Sequence, residues 1–274
     1  DFVTKELGIT YYDPADQKRK GKGPDKYAKM AARRPDIFKK KWARWMMRRE
    51  WGKKLMFKLF GKKKDKRKWP AWVVKTDEER CQNMPWLFPG GDELFTVTEK
   101  IDGTSTTFAI HGHGRKQEFF VCSRNVVHDT PDKENWYEGN VYWEMAEKYN
   151  VKDALTALMD GNTDYIILQG ETYGAGIQKR DYSMKDHDFA AFNLIIKREG
   201  CEPQRLDWHA MKLTLDHYGI PVVPLVDDAF KIPETCDELL KIAEGNSAID
   251  GKMREGIVIR SKDGQRSFKA VSNN

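Results

Sequence analysis

Residues 97–110 read "VTEKIDGTSTTFAI". Apolar and β-branched residues on either side read as two strands, and the turn between them carries Lys100, Asp102 and Gly103. A lysine at a strand end is ordinarily a solvated surface charge. Here the neighbours argue for more. Gly103 permits a tight turn with close backbone approach. Thr104 and Ser105 offer hydroxyls to a phosphate. A lysine amine becomes a covalent nucleophile when burial or nearby cations ease loss of its proton. The turn therefore suits attack on a nucleotide α-phosphate, although so short a pattern also recurs by chance.

Around this turn the chain alternates short apolar runs with turn residues. "LFTVTEKI", "STTFAIHG", "EFFVCSR", "YIILQGETY", "FAAFNLIIK", "IPVVPLV", "EGIVIRS" and "SFKAV" read as strands. Helices are predicted near 136–159, 205–218 and 236–244. Many antiparallel-type strands with a few helices make an α+β domain over 69–274. No internal repeat is visible. No apolar run reaches the roughly 18 residues of a membrane-spanning helix, and no membrane partner is expected. Cys81, Cys122, Cys201 and Cys236 show neither CxxC spacing nor a zinc pattern, which fits an intracellular, reducing compartment.

The net charge of +6 conceals an asymmetry. Residues 17–68 hold 23 Lys/Arg against 4 Asp/Glu, a balance of +19, which leaves 25 against 38, or −13, for the rest. That is the footprint of a nucleic-acid-contacting segment joined to something else. Residues 14–26 read as a linker. From 27 to 60 a helical pattern appears, with Ile37, Trp42, Trp45, Met46, Leu55, Met56, Leu59 and Phe60 among the cations, and with Gly52 and Gly61 as stops. Three arrangements are open: tryptophans among the cations bind duplex backbone, or an amphipathic helical pair packs its aromatics on the α+β domain with cations outward, the two being compatible, or, as a weaker option, the basic helix lies on an anionic membrane surface.

Further stretches extend the first turn in order. "LQGETYG" (168–174) sets Glu171 between glycines after a strand. "DFAAFN" (188–193) offers aromatics. "REGIVIRS" (254–261) sets Glu255 before a strand, and "SFKAVSN" (267–273) carries Lys269. Carboxylates for a hard cation, lysines for phosphate and an aromatic for a base are the inventory of a nucleoside triphosphate site.

In this order the stretches resemble motifs I, III, IIIa, IV and V of the covalent nucleotidyltransferases, the superfamily of DNA ligases, RNA ligases and mRNA capping enzymes. With "VVKTDEERCQN" (73–83) and "LQGETYGAGIQ", the chain is most similar to ATP-dependent RNA ligases of the nick-sealing branch, in the subgroup with an N-terminal OB domain. Residues 1–13 resemble the segment that follows that OB barrel, and the start at Asp1 rather than Met leads us to expect an upstream part. The segment 14–68 has no counterpart and is expected to be a basic linker and helical insertion.

The resemblance implies an antiparallel-sheet nucleotidyltransferase domain, an ATP-grasp-like adenylylation fold, with ATP between its sheets. It implies that Lys100 carries AMP through a phosphoramide bond. Glu99 would help read adenine, and Asp102 and Gly103 would shape the turn. Arg124 would contact the ribose or an incoming 5′-phosphate. Glu171 would serve the ribose or a metal water, and Glu255 the metal, Mg²⁺ or Mn²⁺. Phe192 would stack on adenine, with Phe189 close enough to compete for that role. Lys269 would contact the α-phosphate and ease deprotonation of Lys100. The implied substrate is nicked duplex RNA or an RNA-containing hybrid, with segment 17–68 on its phosphate backbone, and a monomer is expected.

The chain departs from the family pattern twice. Val271 stands where a second lysine is common, leaving Arg266 or Lys252 to replace it. Lys179 and Arg180 follow "GIQ" where Asn is frequent. Blander readings exist for each residue: Glu171 and Glu255 as strand-end ion pairs, Phe189 and Phe192 as core, Arg124 as a surface pair. A DNA ligase, a capping guanylyltransferase and a nucleic-acid-binding module with an inert catalytic domain are the rival functions.

Overall fold

The computed structural model describes residues 27, 35–60, 69–129, 131, 140–264 and 266–271. The expected tail at 1–13, the linker at 14–26, Gly61 and the basic run ending at Lys68 lie outside them. The chain divides into two units, 1–64 and 65–274.

The first unit contains helices α1 (Pro35–Phe38), α2 (Lys41–Met47) and α3 (Glu50–Phe60). Its buried residues are Phe38, Ala43 and Met56, with Tyr27, Ile37, Met46, Met47, Phe57 and Phe60 against them. Trp42, Trp45 and Trp51 are each about half exposed, and so are Leu55 and Leu59. Helical spacing explains the division. Gly52, Met56 and Phe60 form one row four residues apart, and Trp51, Leu55 and Leu59 form the next row, turned outward. The aromatics therefore divide: phenylalanines pack inward, while tryptophans face outward among the cations, with the Arg49 guanidinium 4.1 Å from the Trp45 ring. Gly52 does not stop the helix as expected. It lies inside α3, where a Cβ would come within 2.1 Å of the Met46 carbonyl oxygen.

The second unit is α+β. Its strands are β1 (Glu79–Arg80), β2 (Phe95–Lys100), β3 (Thr104–His111), β4 (Glu118–Ser123), β5 (Thr163–Gly174), β6 (His187–Arg198), β7 (Gln204–Arg205), β8 (Leu225–Phe230), β9 (Gly256–Ser261) and β10 (Ser267–Val271). Helices are α4 (Val141–Lys148), α5 (Val151–Leu158), α6 (Trp208–Asp216) and α7 (Cys236–Ala243). The helix predicted over 136–159 is two, broken at Asn150, whose φ of 50° lies in the left-handed region. The strand predicted at "IPVVPLV" begins only at Leu225. Pro221 and Pro224 lack the N–H a ladder needs, and Val222 makes only an isolated bridge to Ala191.

Two five-stranded sheets result, ordered β1-β10-β9-β2-β8 and β4-β3-β5-β6-β7. All pairings are antiparallel except β1 with β10. Strand alternation sorts the side chains of the first sheet. Phe95, Val97, Ile257, Ile259, Phe268 and Ala270 turn into a core shared with Leu239 and Ala243 of α7. The alternate residues Thr98, Lys100, Val258, Arg260 and Lys269 turn to the opposite face and line a cavity. In the second sheet Phe108, Ile110, Ile166, Leu168 and Phe189 pack beneath α4 and α5. The chain passes from one sheet to the other at Ile101–Gly103, so the opening turn is the hinge of the architecture.

Candidate active site

The cavity between the sheets has a volume of about 360 Å³. Lys100, Glu99, Gly103, Arg124, Glu171, Phe192 and Lys269 all line it. Asp102 and Glu255 do not, but the charges of both act on Glu171. Gly103 is required by proximity: a Cβ there would lie 2.4 Å from the Thr172 carbonyl oxygen and 2.8 Å from Glu171 Cγ.

Lys100 and Glu255 meet because β2 and β9 are antiparallel, with Lys100 opposite Gly256. Lys100 Nζ donates to Glu255 Oε2 at 2.6 Å. Across the cavity, Ser105 lies opposite Glu171 in the β3–β5 ladder. Burial pushes the Glu171 carboxyl up to about 8, against the charge of Lys100 and with help from Glu255 and Asp102. Two carboxylates therefore flank one amine. Among the described residues no group of three or more His, Cys, Asp and Glu could hold a metal. Mg²⁺ and Mn²⁺ are hard cations, and Mg²⁺ commonly uses one or two carboxylates together with substrate phosphates and water. Glu171 and Glu255 fit that donor set.

Two further cations lie at the cavity, and one acid serves both. Arg124 Nη2 is 2.6 Å from Asp77 Oδ2, and Lys269 Nζ is 3.7 Å from Asp77 Oδ1. Asp77 belongs to a strand-like segment, 74–78, tied down by Thr76 to Ser105 at 2.9 Å and by Glu78 to Arg260 at 3.2 Å. Sequence reading missed this segment as part of the site. Its signal is "KTDEE", inside the stretch "VVKTDEERCQN" that carries the resemblance but is given no site role.

The opposite end suits a base. Glu99 lines the cavity and is 2% exposed. Its Oε2 accepts from the Ala248 N–H at 2.9 Å, while its buried Oε1 has no partner among the described residues. Phe192 falls at an irregularity in the β5–β6 ladder: Gln169 pairs with Asn193 and Gly170 with Ala191, leaving Phe192 between them. Such bulges re-aim side chains, and this one turns Phe192 to the cavity while Phe189 is wholly buried against Phe108. Arg260, also missed, donates to the Phe192 carbonyl at 2.8 Å and sits 5.8 Å from its ring centre.

Neither candidate for the missing second lysine lines the cavity. Arg266 pairs with Glu93 and covers the Phe95 ring, and Lys252 is exposed. Arg260 is the additional cation on the cavity wall.

The RNA ligase family profile matches residues 93–271. The chain belongs to the RNA ligase family. Among solved structures it is similar to RNA ligase from Naegleria gruberi. A variant solved with ATP and Mn superposes with a TM-score of 0.63 at 26% identity, covering 80% of this chain and 64% of that one. A variant with AMP and Mn gives 0.64 at 25%, covering 80% and 65%. The ligase with PPi gives 0.65 at 26%, again covering 80% and 65%. This chain thus spans just under two thirds of the length of those ligases. No curated protein matches. The family match takes in every residue singled out from Lys100 to Lys269 and stops short of the helices of the first unit. Among the described residues no helix is long and apolar enough to cross a membrane.

Proposed function

We propose that this RNA ligase family chain is an ATP-dependent polynucleotide ligase that seals 5′-phosphate/3′-hydroxyl nicks in RNA through a lysyl-AMP intermediate on Lys100. Residues 69–274 are the ATP-grasp-like adenylylation domain, 14–68 a basic insertion, and 1–13 the tail of an OB domain. The observation that carries the reading is the amine of Lys100 on a cavity between two sheets, flanked by Glu171 and Glu255 and faced by Arg124 and Lys269.

Charge and geometry assign the work. Lys100 gives up a proton and its nitrogen attacks the α-phosphorus of ATP. The N–P bond forms as the P–O bond to pyrophosphate breaks. Glu255, hydrogen-bonded to Nζ, orients the amine as its proton passes to solvent. Lys269 and Arg124 exchange Asp77 for phosphate oxygens, which develop charge in the transition state. A bound Mg²⁺ or Mn²⁺ supplies Lewis-acid neutralisation of the phosphates, held by Glu171 and Glu255. AMP then passes to a 5′-phosphate with cleavage of the P–N bond. A 3′-hydroxyl attacks that phosphate and AMP leaves. Holding the reacting groups in line supplies much of the rate.

Glu99 distinguishes the nucleotide. Set against the 6-position of the base, its unpartnered Oε1 accepts from the amino group of adenine, where guanine presents O6 and could donate only through N1–H or its 2-amino group in another pose. In that pose ATP is favoured over the GTP of a capping guanylyltransferase. Segment 17–68 grips duplex backbone, with its exposed tryptophans and Arg49 among the cations.

Incubation with α-labelled ATP or GTP and Mg²⁺, then denaturation, tests the reading. Label from ATP is expected to stay on the wild type and to be lost in Lys100→Ala. Retention by that variant sinks the lysyl-AMP assignment, and label from GTP instead makes the chain a guanylyltransferase. Nicked RNA, DNA and hybrid duplexes then read the substrate. Deletion of 17–68 is expected to flatten the salt dependence of RNA binding.

A further inference from the structure

Arg180 ties two separate loops to the Lys100 turn. The first loop is 174–184. Gln178 donates to the Gly103 carbonyl at 2.9 Å, and the Tyr182 hydroxyl accepts the Asp102 N–H at 2.6 Å. Two contacts from one loop thus brace the two residues that follow Ile101. Tyr182 is 2% exposed, and its φ of 53°, like the 58° of Ser183, lies in the left-handed region. Non-glycine residues persist there only when the surroundings over-determine them. Part of that determination is visible: Tyr182 packs edge-on against Tyr173, and the Arg180 guanidinium lies 4.3 Å from its ring centre.

The second loop is 245–253. It supplies the Ala248 N–H that holds one oxygen of Glu99. Its shape is kept by Ser247 N–H to the Lys252 carbonyl at 2.7 Å and by Asp250, which accepts from the Lys252 N–H at 3.1 Å. Arg180 Nη2 pairs with Asp250 Oδ1 at 2.5 Å, and Nη1 donates to the Met253 carbonyl. One guanidinium therefore spans both loops: its face covers Tyr182 and its edge holds Asp250 and Met253. A lysine could supply the charge but not the fork or the flat face.

We infer that Arg180 is a positioning residue for adenylylation. Through Tyr182 it sets the turn that aims Lys100, and through Asp250 and Ala248 it sets the Glu99 oxygen that reads the base. Its removal loosens two functions at once, the nucleophile's alignment and nucleotide choice, although Arg180 does not line the cavity.

The inference rests on the ligase reading for its activity arm. Single-turnover adenylylation is measured with ATP and GTP for Arg180→Met, Arg180→Lys and Tyr182→Phe, beside the thermal midpoint of each. Tyr182→Phe removes only the hydroxyl acceptor and is expected to lower the maximal rate about tenfold, with the ATP KM held within about twofold. Arg180→Met is expected to lower the rate by at least as much, to raise the ATP KM and to narrow the preference for ATP over GTP about tenfold. Arg180→Lys should restore part of the rate and little of the preference. The double variant should lose no more rate than Arg180→Met alone, because both act through one turn. Folded variants that keep the wild-type rate and ATP/GTP ratio overturn the proposal. So does a rate that falls only with the folded fraction. If the wild type itself retains no label, the ligase reading fails and amide exchange decides the clamp. The amides of Asp102 and Ala248 should then exchange about tenfold faster in Arg180→Met than in the wild type, as expected of local opening. Unchanged protection overturns the clamp.

Discussion

Two ion pairs of similar length sit on either side of the Lys100 turn. Lys100–Glu255, at 2.6 Å, opens onto the cavity with side chains 25% and 28% exposed. Arg180–Asp250, at 2.5 Å, is more enclosed, with side chains 17% and 1% exposed. On the proposed mechanism the first must come apart, because an ammonium cannot attack phosphorus. The second must not, because a buried charge left alone is costly. Burial raises the pKa of the Asp250 carboxyl, but the hydrogen bonds and charges of Arg180 and Lys252 outweigh it and hold Asp250 below the ordinary carboxylate range. Greater exposure at one pair and enclosure at the other separate a working contact from a structural one.

Breaking each pair in turn sharpens the contrast. The largest effect is expected at Lys100: Lys100→Ala should cut retained label by more than about a thousandfold, since no other group supplies the bond. Next comes stability. Asp250→Ala strands the Arg180 charge and should lower unfolding free energy by about 3–5 kcal/mol. Glu255→Ala should lower it by no more than about 1 kcal/mol while adenylylation collapses. Urea melts beside the label assay read both, and equal destabilisation by the two changes removes the distinction.

The pH dependences should have opposite signs. Asp250, with its depressed folded pKa, contributes stability above the unfolded carboxylate pKa and loses it as pH falls through the folded value. Glu171, raised to about 8, binds its proton more tightly folded than unfolded, so it costs stability as pH climbs from about 4.5 to about 8. Glu171→Gln should remove from the melt series a downward slope of up to about 1.4 kcal/mol per pH unit across that window. A slope that survives the substitution belongs to another group.

The smallest effect is expected at Asp77. Its pairs with Arg124 and Lys269 are partly exposed, so Asp77→Asn should change stability by under about 1 kcal/mol. Freed of that competitor, the two cations should bind ATP about two- to fivefold more tightly, as a titration would read. Weaker binding would make the 74–78 segment a support for the phosphate site rather than an occupant of it.

Much of the catalytic unit is legible in the chain. Alternation marks seven of its strands within a few residues, and the spacing of Lys100, Glu171, Glu255 and Lys269 at strand ends points to phosphate chemistry. The misses share a cause: they depend on partners distant in sequence. Phe189 and Phe192 are equivalent in composition until the bulge opposite Gln169 and Gly170 assigns one to the core and one to the cavity. Val271 looked like a lost cation, yet Arg260, unremarkable in "GIVIRS", occupies the wall. Asp77 and Glu78 carry no role in the sequence alone, and β1, paired to β10, brings the segment before it to Arg124 and Lys269. In the basic unit, helical spacing alone left two rows one residue apart, and packing chose Met56 over Leu55.

The sequence by itself determined the periodicities, the charge division between 17–68 and the rest, and the turn that changes sheets, because propensity, alternation and the small size of Gly103 are local properties. Tertiary structure decided which acid faces which cation and how far each pair is exposed. Those depend on burial and distance, and both arise only once strands far apart in sequence lie side by side.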